Sequence, residues 1–167
     1  MQQKIIFSLF LIFSVFAKAQ NEKPDREAFT LKVAIDTINF YQQEVPKSPY
    51  FVKDKILQIY PSEKLFIETE IKGDSIHTMK VVTENVNPEK TITLEFIQNV
   101  EGKKHTNMML TVKNPFEKQL TYEALMYING GSEWIPTSII PVRPRLASFE
   151  FWNDVILSLV LVEWKLK

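Results

Sequence analysis

The residues able to do chemistry are few, and they are scattered along the chain. His77 and His105 are the only histidines, one inside a predicted hairpin strand and one beside a lysine-rich turn. No short ligand spacing joins them, so no metal centre is expected and both read as structural or exposed. A Ser-His-Asp arrangement lacks support as well, because no Gly-x-Ser-x-Gly elbow occurs and the chain holds only four glycines. Gly130-Gly131 opens no helical pattern and reads as a turn, not a phosphate cradle. Glu68 and Glu70 lie two apart on one strand face, roughly 7 Å between Cα atoms. A general acid and base of glycosidase type could be built from that separation, although such pairs are common on solvated faces. No catalytic residue and no cofactor is assigned.

The most suggestive group is one for binding: Trp134, Arg143, Arg145, Glu150 and Trp152. In Ser148-Phe149-Glu150-Phe151-Trp152, strand alternation puts the two phenylalanines on one face and Ser148, Glu150 and Trp152 on the other. If the phenylalanines enter the core, a carboxylate and an indole stand together near the surface with two arginines close by. An aromatic platform edged by charge suits a sugar ring, a peptide or a partner protein. The plainer reading makes Trp152 the cap of a sheet end, with Glu150 paired to an arginine.

A second feature is the run of residues 155–166. Ile156, Val160, Val162, Trp164 and Leu166 form one face, while Val155, Leu157, Leu159 and Leu161 make the other equally apolar. The β-branched residues favour a strand over a helix. A strand apolar on both faces is central or covered on each side, or it offers a face to a partner. The run is too short to cross a bilayer, which takes about 18 apolar residues.

The elements that must position these residues are strands. The chain has 167 residues, of which 45% are hydrophobic and twelve are Phe, enough for one domain with a true core. Cysteine is absent, which removes disulfides, thiolate metal sites, cysteine nucleophiles and a lipidated cysteine of lipoprotein type. Residues 1–19 have Lys4, then an apolar run, then Ala17-Lys18-Ala19, the layout of a cleavable secretory signal. Loss of Lys4 and Lys18 with that leader leaves 18 basic against 20 acidic side chains, a net charge of −2, and no electrostatic footprint for nucleic acid. Residues 20–27 read as a linker, and residues 28–167 as a single domain.

Within the domain, residues 29–40 alternate as a strand, and Pro46, Pro49 and Pro61 confine the next stretch to short strands. Hairpins are predicted around Gly73-Asp74 and Gly102-Lys103, with a turn at 114–117. Residues 120–128 give the clearest half-buried strand, and 137–142 an edge strand or a crossing between sheets. About eight or nine short strands without a helix after the leader indicate an immunoglobulin-like β-sandwich, the alternative being a small closed β-barrel. The expected function is a non-catalytic exported protein, periplasmic or extracellular, that binds a protein partner or forms a homo-oligomer. The alternatives are a carbohydrate or small-ligand module built on the aromatic patch and, more remotely, a glycoside-type hydrolase. No nucleic acid is expected as partner, and no membrane span remains after the leader.

Overall fold

The structure is a computed structural model that describes residues 21–167, so the expected leader lies outside the described residues. Every regular element in it is a strand. These are β1 (Asp25–Arg26), β2 (Phe29–Ala34), β3 (Phe40–Val45), β4 (Ser48–Pro49), β5 (Phe51–Lys53), β6 (Ile56–Ile59) and β7 (Glu63–Lys72), followed by β8 (Ser75–Val82), β9 (Thr91–Glu101), β10 (Lys104–Lys113), β11 (Leu120–Ile128), β12 (Ile135–Thr137), β13 (Ala147–Trp152) and β14 (Ile156–Leu166). Two antiparallel five-stranded sheets form, in the orders β13-β10-β9-β7-β8 and β12-β11-β14-β6-β5. Neither closes into a barrel. Their inner faces share one core, with Leu65, Ile67, Ile92, Leu94, Phe96, Met108, Leu110 and Val112 from the first sheet. The second contributes Leu57, Ile59, Leu120, Ala124, Ile156, Leu159, Leu161 and Trp164. The architecture is therefore sandwich-like and all-β.

The two predicted hairpins form where glycine permits a left-handed backbone. Gly73 has φ 59° between β7 and β8, and Gly102 has φ 64° between β9 and β10. The strand at 120–128 is present as β11, whereas the edge strand expected at 137–142 lies earlier, as β12, and beyond Thr137 only Val142 pairs, in a bridge to Leu120. Residues 29–40 behave differently from expectation, because Asp36 ends the strand. Its carboxylate accepts from the Ile38 and Asn39 backbone and from the Asn39 side chain, the local competition by which Asp makes turns. Three hydrogen bonds to the charged form hold this carboxyl below its usual range, the Asn39 side chain contributing most. The chain reverses there, and β2 pairs with β3.

That hairpin explains part of the doubly apolar terminal strand. Leu31, Val33 and Val45 cover Leu157 on the outer face of the second sheet, with Phe29, Tyr41, Tyr60, Tyr127 and Val155 packed around them. The rest is a matter of register. A simple alternation over 155–166 would put Leu157, Leu159 and Leu161 on one face. Instead Ile156, Leu159, Leu161 and Trp164 all enter the shared core. The β11–β14 pairing slips opposite Leu157, and again between Val162 and Lys165, where Glu163 has φ 55°. Each bulge inserts a residue and inverts the facing of the residues beyond it.

The segment at 20–27 corrects the linker expectation, because its described residues belong to the domain. Glu22 bridges to Val82, Lys23 N–H donates to the Val81 carbonyl at 2.8 Å, and β1 pairs with β4. Arg26 is the anchor. It is 2% exposed, and its guanidinium donates to Glu63, to the Pro49 and Gln58 carbonyls and to Ser48. It also lies 4.6 Å from the Tyr50 ring centroid and 5.0 Å from that of Tyr60. A segment without apolar period is here fixed by one charged side chain, which hydropathy does not detect.

Candidate functional site

The residues that read as a binding group are dispersed by the fold. Phe149 and Phe151 are 56% and 59% exposed, while Glu150 is 9% exposed. The expected facing of β13 is thus inverted. In the β10 pairing Glu150 stands opposite Leu110 and Trp152 opposite Met108, both core residues, so Ser148, Glu150 and Trp152 face inward. A one-residue change in facing moves every side chain of a strand to the other side of its sheet.

Local hydrogen bonds account for that choice. The Trp152 indole N–H donates to Thr137 Oγ1 at 2.8 Å, and the Ile140 N–H donates to Glu150 Oε1 at 2.7 Å. The chain after β12 leads from the edge of the second sheet to β13 at the edge of the first, outside any strand ladder, so the Ile140 N–H takes a side-chain acceptor. Glu150 supplies it. Neither expected arginine pairs with Glu150: Arg145 binds Glu117 at 2.8 Å, and Arg143 is exposed and forms no ion pair among the described residues. Trp134 lies against Tyr127, ring centroids 5.5 Å apart, on the hairpin-covered outer side of the second sheet. Trp134 and Trp152 therefore belong to different faces. On the terminal strand, Leu159 and Leu161 are fully buried, Leu157 is 4% exposed, and Val155 is half-buried beneath the hairpin.

Two hydroxyls near this end lack partners among the described residues, those of Tyr122 and Ser148. Burial, and secondarily the charge of Glu150, pushes the Tyr122 hydroxyl well above the usual tyrosine range. The other buried polar hub is Asn114. Its amide donates to the Lys118, Val142 and Arg143 carbonyls, and its oxygen accepts from Phe116 N–H. It fixes the predicted 114–117 turn against the chain that leads into β13.

What the structure offers to a partner is an edge. Two five-stranded sheets have four edges, and three are blunted. β5 has three residues, a register slip and Lys53; β12 has three residues with Pro136 in the middle. β8 carries Lys80, is irregular near Ile71, and is capped by residues 21–23 at its far end. β13 is six residues long, pairs with β10 without a slip, and contains neither Lys nor Pro. Asn114 N–H donates to the Leu146 carbonyl on the β10 side. By antiparallel alternation Ala147, Phe149 and Phe151 then point their backbone groups to the open side. On the outer face Phe151, Met109 and Ile97 form one cross-strand row, with Phe149 beside it opposite Thr111.

Elsewhere, an open hollow of about 420 Å³ lies between the β2–β3 turn and the β9–β10 turn, with Ile38, Phe40 and Val100 beside Lys32 and Lys103. Glu68 is engaged by Lys80 and Asn87. Among the described residues no three of His, Cys, Asp or Glu gather as a metal site, and no helix is long and apolar enough to cross a membrane. Phe149 and Phe151 were legible as strand residues but not as surface, since only their core-facing neighbours decide it. Comparison of the chain with family models, with curated proteins and with solved structures finds no match.

Proposed function

We propose that this is a non-catalytic, exported binding protein that takes a protein partner by strand addition at β13. One observation carries the reading. Of the four edges of the two five-stranded sheets, β13 alone pairs without a slip and carries neither Lys nor Pro, and its two phenylalanines are more than half exposed. Natural sheets protect such edges unless they are used, and an extended segment laid there gains main-chain hydrogen bonds plus contacts to alternate side chains. Export rests on the leader pattern of residues 1–19. An immunoglobulin-like sandwich is part of the proposal. Its support is β14, which lies between β6 and β11 although they are far apart in the chain, a crossed connection of Greek-key kind.

The test is a photo-crosslinker, p-benzoylphenylalanine, placed at Phe151 and, as control, at Val86, which is 58% exposed and distant in the chain from β13. In the cells that make the protein, a discrete adduct at position 151 and none at 86 is expected. No adduct at 151, or the same adducts at both, overturns the reading.

A further inference from the structure

Resting on that reading, we propose that the strand added to β13 is β13 of a second copy, paired antiparallel about a two-fold axis through Phe149. The backbone groups at the open edge belong to Ala147, Phe149 and Phe151, so a symmetric antiparallel pairing must match odd residues with odd. Any centre on a residue of the strand satisfies this, but one on Ser148 leaves only residues 147–149 of β13 paired. A centre on Glu150 sets two carboxylates directly opposite, which is unfavourable. A centre on Phe151 runs the overlap past Trp152, where β13 ends. A centre on Phe149 keeps the overlap within β13 and forms about six main-chain hydrogen bonds.

The side chains of the Phe149-centred register are self-complementary. Ser148 lies opposite the partner's Glu150, at the closer spacing of a non-hydrogen-bonded pair, about 4.5 Å between Cα atoms. Ser148 Oγ is buried and has no partner within the described residues. Glu150 gives only Oε1 to Ile140, and its second oxygen accepts from no described residue. Each lack meets the other, twice by symmetry. On the outer face the two Phe149 rings meet across the axis.

The overlap is short, so the dimer is weak and concentration-dependent. Sedimentation of the purified protein from about 1 μM to about 1 mM should show a reversible monomer–dimer equilibrium; a monomer throughout overturns the proposal. Phe149→Lys, at an exposed position, should stay folded and monomeric, and a folded Phe149→Lys dimer overturns it. Ser148→Ala gives a second check. It should leave the monomer as stable or more so, because an orphan hydroxyl is removed, yet weaken the dimer about a hundredfold through two lost bonds of roughly tenfold each. Unchanged dimerisation overturns the register.

The photo-crosslinker at position 151 separates this inference from the reading beneath it. Used on the purified protein, it should give an adduct of twice the chain mass, joined to the partner's residues 145–149. An adduct formed only in cells and of another mass overturns the second copy and leaves strand addition standing. No adduct in either setting overturns both.

Discussion

Replacing Arg26 with alanine should cost the fold about 3–5 kcal/mol, the range for breaking a buried ion pair on one side. The structure shows why the loss is large. Glu63, with its side chain 15% exposed, would keep the Tyr60 N–H on Oε2 but lose its cation. The Gln58 and Pro49 carbonyls would lose donors at 2.7 and 3.1 Å, and two tyrosine rings would lose the guanidinium between them. Domains are stable by only about 5–15 kcal/mol, so this is a substantial share. Urea unfolding followed by fluorescence is the assay. With a slope of about 2 kcal/mol per molar, the midpoint should fall by about 2 M. Arg26→Lys should restore little, since one ammonium cannot fork to Glu63 and two carbonyls. The double variant Arg26→Met, Glu63→Leu should recover much of the loss, because no charge is left stranded. A loss below about 1 kcal/mol for Arg26→Ala would refute the pinning of residues 21–27 into the domain.

Leu159→Ala, at a fully buried position, should cost about 3–5 kcal/mol in the same assay, and Leu159→Lys should not fold. Near-native stability of either would place that face outside the core. Thermal stability should fall as pH rises above about 10, the usual ionisation of an unfolded tyrosine. The reason is that burial raises the folded ionisation of Tyr122, and less strongly that of half-buried Tyr60, so the unfolded chain releases its protons first. The decline due to Tyr122 is about 1.4 kcal/mol per pH unit from about pH 10 towards the folded value; below about 10 its contribution is fully present and stability does not change on its account. Tyr122→Phe should flatten most of that decline and raise stability at neutral pH; an unchanged alkaline slope would contradict the burial of the hydroxyl.

How far the sequence reached depends on the scale of the interaction that decides each feature. Turns at Gly73 and Gly102 are local, written in one residue's freedom to adopt positive φ, and they were legible. Strand alternation at 120–128 was legible because the outer side of β11 is polar enough to show its period. The facing of β13 was not, since Phe149 and Phe151 outrank Ser148 and Glu150 in hydrophobicity. What turns the strand over is distant: Thr137 waiting for an indole N–H and Ile140 needing an acceptor. The even and odd faces of 155–166 failed for a related reason, as bulges opposite β11 reset the period without a glycine or proline to announce them. Arg26 was hidden most completely. A polar segment holding one arginine looks like a linker until its partners on β4, β6 and β7 are known.

Amide hydrogen exchange tests, residue by residue, whether β13 receives another strand along its open edge. Alternation fixes the pattern in advance: Ser148, Glu150 and Trp152 point their N–H groups at β10, while those of Ala147, Phe149 and Phe151 point outward. At high protein concentration the three odd amides should exchange slowly, and on dilution or in Phe149→Lys they alone should become fast while the even ones stay protected. Fast exchange of Ala147, Phe149 and Phe151 at every concentration, in the purified protein and in any complex isolated with it, would contradict strand addition at β13.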